Sequence, residues 1–133
     1  MKLEELQALR DLTELAYQRD LAHLKPLLDR EADLRRQLTR LDHQAQDARQ
    51  NDAAMEVMRP MGADILWEKW LARTRRDLNT QLAALMAQKE HKMAGLRKSF
   101  GRSTVAADLC SSARQEARAD NARRSYAAAM RQT

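Results

Sequence analysis

Cysteine, proline, glycine, aromatic and β-branched residues are all scarce in this 133-residue chain, and each scarcity closes off a class of structure. A single Cys110 excludes an internal disulfide, and with His23, His43 and His91 scattered it has no neighbours for a zinc site. Two valines and one isoleucine against 19 leucines leave strands without the residues they prefer. Aromatics amount to 4% and the mean hydropathy is -0.74, so material for a thick globular core is lacking. No window approaches the ~18 apolar residues of a membrane span. Met1-Lys2-Leu3-Glu4-Glu5 carries acids where a leader needs positive charge. The expectation is a soluble protein of the reducing cytoplasm. There is no phosphate-cradling glycine loop, no nucleophile elbow and no paired-carboxylate constellation. No enzyme activity, cofactor or metal is therefore expected.

What remains is Leu, Ala, Arg, Glu, Gln and Asp, the residues of long helices with charged outer faces. Pro26, Gly95 and Gly101 fall inside helical patterns, which leaves Arg59-Pro60-Met61-Gly62 as the one strong break. The reading is an all-α chain: a single helical-hairpin domain forming a long antiparallel two-helix coiled coil. Arm 1 covers about 2–58, the turn about 59–63 and arm 2 about 64–131. At ~1.5 Å per residue the arms reach roughly 85–100 Å. In the turn, Pro60 cannot continue arm 1, Gly62 accepts a left-handed C-cap and Asp64 can take the first amides of arm 2. Pro26 predicts a kink near Ala22–Lys25, or a break at which it opens a second helix. Gly101 is a weaker break on the facing arm.

The apolar pattern supports this pairing. Arm 1 has a heptad-like seam at Leu34, Leu38, Leu41, Ala45, Ala48 and Met55, interrupted by Asp52. Arm 2 offers Trp67, Leu71, Leu78, Leu82, Leu85, Met93, Leu96 and Phe100 over a wider, drifting face, so the strict heptad is local. Centred on Met61-Gly62, a hairpin pairs residues whose numbers sum to about 123, setting Leu41 against Leu82, Ala45 against Leu78, Leu38 against Leu85 and Leu27 against Leu96. Residues 1–58 hold 9 Lys/Arg and 12 Asp/Glu, a balance of -3, whereas residues 59–133 hold 15 and 7, a balance of +8. Opposite signs favour pairing of the arms, although each exposed pair contributes only about 0–1 kcal/mol.

Two places carry more apolar bulk than one partner helix can cover. Leu3, Leu6, Leu9, Leu12 and Leu15 recur every three residues, so the series drifts by ~60° per step around the helix. Facing them, arm 2 supplies small or polar residues such as Ser111, Asp108, Ala117 and Asp120. These leucines read as a docking site for another protein, or as a short third helix folding back or a frayed end. Trp67 and Trp70, beside the turn, read either as a plug against Met55, Met58 and Met61 or as an exposed anchor for a partner. Cys110 reads as a small seam residue. The basic clusters Arg73/Arg75/Arg76, Arg97/Lys98/Arg102 and Arg123/Arg124 lack the aromatic interleaving of a nucleic-acid site.

In its length, its two long arms, its central turn and the juxtaposition of its termini, the chain resembles the FliJ family of flagellar export proteins and the YscO group of type III secretion. Trp67-Glu68-Lys69-Trp70 and Leu96-Arg97-Lys98-Ser99-Phe100-Gly101-Arg102 are compatible with such sequences. The resemblance implies an antiparallel coiled coil shaped like the central shaft of a rotary ATPase. Its terminal end would sit in the ring of an export ATPase, and its turn end would meet export-gate components or chaperones. No functional residue carries over. The expected function is thus a non-enzymatic adaptor or stalk of a bacterial export apparatus. The alternatives are a basic coiled-coil module for nucleic acid or the ribosome, and a homodimeric scaffold pairing into a four-helix bundle.

Overall fold

The computed structural model describes residues 1–133 apart from the side chain of Asp52, so the interruption expected there lies outside the described residues. Leu3–Gln50 forms α1, Asp52–Met58 forms α2, Arg59–Met61 makes a single 3-10 turn, and Ala63–Arg131 forms α3. No strand occurs among the described residues. The chain is all-helical, and the long helices α1 and α3 pack together. Two compact units can be distinguished: Leu24–His91, and Met1–His23 with Lys92–Thr133.

Helix α1 does not end at Pro26, as a break there would require. Proline removes one backbone donor from a helix. Ala22 and Pro26 both lie on the exposed side of α1, where solvent can reach the carbonyl left without a donor. Gly101 likewise interrupts nothing in α3. The break in arm 1 comes instead at Asn51, whose side-chain oxygen accepts the Ala54 amide at 3.3 Å and so caps α2. Pro60 then sits in the 3-10 turn, and Gly62 closes it with φ 71°, donating its amide to the Arg59 carbonyl at 3.2 Å. Only glycine adopts that left-handed conformation without a Cβ clash. Asp64 does not cap α3. It lies inside the first turn, and its Oδ1 is buried without a hydrogen-bond partner.

Within Leu24–His91, Leu24, Leu27, Glu31, Leu34, Leu38, Leu41, Ala45 and Ala48 of α1 are covered, a series in alternating steps of three and four, and Asp33 and Gln37 beside it are half-buried. Against them α3 sets Trp67, Leu71, Leu78, Leu82 and Leu85, and one apolar cluster results whose buried members are Leu34, Leu41, Ala45, Leu71, Leu78 and Leu85. Leu34 is 1% exposed. Each such leucine contributes about 1.5–3 kcal/mol of transfer free energy. Met55 is only half-buried.

Glu31 occupies a covered position between leucines and brings its own partners. Its Oε2 accepts from Lys89 Nζ at 2.8 Å, and its Oε1 accepts from Arg35 Nη2 at 3.1 Å. Asp42 and Arg75 pair at 2.8 Å farther toward the turn. The pairs Glu31–Lys89 and Asp42–Arg75 have numbers summing to 120 and 117, below the 123 expected from the sequence. The reversal is spread over Asn51–Gly62 rather than centred on Met61-Gly62, which shifts the register by several residues.

Replacing Leu34 by Ala should lower stability by ~2–5 kcal/mol in urea titration, because both transfer free energy and packing are lost. The Lys89 hydrogen bond, above all, holds the Glu31 carboxyl below its ordinary value of 4.5, against the opposing effect of burial. The folded chain therefore binds this proton less readily than the unfolded chain. Its contribution is present above pH 4.5 and is lost as the pH falls through the folded value. Urea midpoints should drop between about pH 5 and pH 3, and Glu31→Gln should flatten that drop.

Candidate functional site

In the unit formed by Met1–His23 and Lys92–Thr133, the three-four stripe is filled by other chemistry. The covered positions of α1 there include Leu3, Leu6, Arg10, Thr13, Tyr17 and Asp20, with Gln7, Leu9 and Ala16 also half-buried. Those of α3 are Met93, Leu96, Ser99, Ser103, Ala106, Cys110, Ala113 and Ala117. Small side chains on α3 thus face larger ones on α1, and the polar groups are satisfied locally. Ser103 Oγ donates to Glu14 Oε2 at 2.9 Å, and Ser99 Oγ donates to the Leu96 carbonyl at 3.1 Å. Arg10 Nη1 lies 3.9 Å from Cys110 Sγ, and Cys110 is 1% exposed, a seam residue as expected. Hydrogen bonds from Gln18 and then Ser103 hold the Glu14 carboxyl below its ordinary range, against a smaller opposing effect of desolvation. Phe100, expected in the seam, lies outside it and packs its ring 5.4 Å from that of Tyr17.

The N-terminal leucines separate as a period of three requires on a 3.6-residue helix. Leu6 is buried, Leu3 and Leu9 are half-buried, and Leu12 and Leu15 are 66% and 67% exposed. The chain from Leu3 onward is continuous α1, so no short third helix covers them. Val105 and Leu109 of α3 are also exposed. Between the two helices lies a groove of about 410 Å³ lined by Leu9, Thr13, Gly101, Arg102, Val105, Ala106 and Leu109. A second hollow of about 370 Å³ adjoins it through Thr13 and Arg102, and brings in Leu12, Ala16, Arg19, Gly95 and Lys98. The hydrophobic series announces the leucines; the groove itself depends on the glycines and valine of α3, whose meaning appears only once the helices are paired.

In Leu24–His91 the two indoles differ in exposure. Trp67 packs on the apolar cluster, while Trp70 stacks on it at 5.1 Å with 46% of its surface exposed. Val57, Met61, Ile65 and Leu66, on or beside the turn, are exposed as well, apolar residues that hydropathy did not single out. From Arg118 onward every residue of α3 is exposed, including Arg118, Arg123, Arg124 and Arg131.

No group of three or more His, Cys, Asp or Glu side chains with the arrangement of a metal site occurs among the described residues. No described helix is long and apolar enough to cross a membrane. No family model matches the chain, and no characterised protein or solved structure is significantly similar to it.

Neither Gly95 nor Gly101 has any atom within 4 Å of the point where a Cβ would stand. Alanine at either position should therefore raise stability by roughly 1 kcal/mol through helix propensity alone. Thermal or urea unfolding of Gly95→Ala and Gly101→Ala checks this directly.

Proposed function

We propose that this protein is a non-enzymatic helical adaptor that acts through protein–protein contacts, its main docking surface lying on the unit that carries both termini. The observation behind this reading is the set of large apolar side chains left uncovered there, Leu12, Leu15, Val105 and Leu109, beside an open groove. Large apolar side chains left exposed beside a groove, as Leu12, Val105 and Leu109 are, mark interaction sites. Trp70 with Met61, Ile65 and Leu66 supplies a second contact surface near the turn. Leu3 and Leu6 serve the first surface by holding α1 in place, and Leu9 lines its groove.

The specific setting we propose is a bacterial export apparatus of the flagellar or type III kind, with the protein as a coiled-coil stalk in the cytoplasm. The resemblance in length and layout to the FliJ and YscO families supports it. So does the alternation of covered positions along α1, which is the pattern that knobs-into-holes packing requires. A second reading, a nucleic-acid contact, draws on the exposed arginines 118, 123, 124 and 131 of α3. Gel shifts that weaken steeply as salt rises would favour it.

The adaptor reading is tested by affinity purification of the full chain from its native cells. An export ATPase or gate component should copurify, and Leu12→Glu with Leu15→Glu should reduce its recovery at least about tenfold while the fold is kept, since both side chains are exposed. Recovery of no export component would reject the proposed setting.

A further inference from the structure

The two hollows on the terminal unit share Thr13 and Arg102 and together make one groove. Its floor is apolar where Leu9, Val105 and Leu109 line it. Its rim is basic on balance, with Arg19, Lys98 and Arg102 against the single acid Asp20. Arg19 already has Asp20 at 3.6 Å, whereas Lys98 and Arg102 have no acidic partner among the described residues. Gly95 and Gly101 belong to the same groove, with open space where side chains would stand. Glycine weakens a helix interior relative to alanine, and no contact inside the chain makes use of these two. A bare stretch of helix surface is useful when another backbone must come close.

Resting on the adaptor reading, we propose that this groove binds an amphipathic helix of a partner protein that carries acidic residues beside its apolar stripe. Apolar side chains spaced i, i+3/i+4 and i+7 seat among Leu9, Val105 and Leu109. Carboxylates on the flank of that helix meet Lys98 and Arg102, and its backbone passes over Gly95 and Gly101. A second copy of this chain does not fit as occupant. Two-fold pairing of groove with groove brings Lys98 and Arg102 of both copies into one interface, where like charges accumulate with only Asp20 of the lining to oppose them.

The test is a titration of a fluorescently labelled synthetic helix, with leucines at helical spacing and glutamates on its flanks, by the full-length protein. A peptide with lysines in place of the glutamates is the comparison. The acidic peptide should bind about tenfold or more tightly than the basic one, and salt should weaken it. Lys98→Glu with Arg102→Glu should abolish the preference. Gly95→Ala with Gly101→Ala should reduce affinity about tenfold, although that variant is more stably folded. Equal affinity for the two peptides, or unchanged binding by the glycine variant, overturns the proposal. A dimer in sedimentation that the glycine substitutions dissociate overturns it too, by giving the groove to a second copy. If export components are recovered and lost on Leu12→Glu with Leu15→Glu, but the acidic peptide has no advantage, this inference falls and the adaptor reading stands. A clear acidic preference with no export component recovered supports this inference while the export setting falls.

Discussion

Two paired helices can hide only one stripe of each from water, and every feature of this protein answers to that limit. The stripe on α1 advances by alternating threes and fours, which keeps a single face turned toward α3. In Leu24–His91 it is mostly leucine, and one ion pair is set among the leucines. Glu31 and Lys89 are 14% and 26% exposed, so neither is free in water, and each is compensated by the other. Sliding one helix by a turn would strip both of that partner and lay a charge against leucine. The pair therefore selects a register more than it adds stability, the role best attested for polar groups inside helical seams.

That the chain is all-helical was legible in the sequence, and so was the turn at Pro60 and Gly62, because the evidence for both is local. Scarce valine and isoleucine left only helices, and proline and glycine two residues apart at Pro60 and Gly62 make a stronger stop than either makes alone. Pro26 shows where local evidence misleads. Its cost is real, but its place on the outer side of α1 lets solvent absorb the lost hydrogen bond, and exposure depends on the partner helix. The earlier stop at Asn51 was signalled by a good N-cap residue, overshadowed by the stronger proline and glycine signals that follow.

The seam itself was half legible. Counting apolar residues found Leu34, Leu38, Leu41 and Ala45 but lost the pattern toward the N-terminus. The same alternation continues there through Arg10, Thr13, Tyr17 and Asp20. Hydropathy cannot register a covered arginine or threonine, whose coverage depends on small residues across the interface. The candidate site suffered likewise. Leucines 3 to 15 were visible as a surplus, and their division into covered and uncovered members follows from helix geometry. The groove beside Leu12 needed α3 in place, since Gly95, Gly101 and Val105 carry no signal of their own.

The serine- and alanine-rich seam of the terminal unit has a further consequence. Serine and alanine remove little apolar surface from water, so the helices there are held less firmly than where leucine meets leucine. Amide protons of Ser99–Cys110 will accordingly exchange with solvent through openings that cost less than global unfolding, whereas those around Leu34 and Leu78 will wait for it. A segment that opens cheaply can also be ordered cheaply from outside, and whatever lies across it adds a third surface to an interface that began with two.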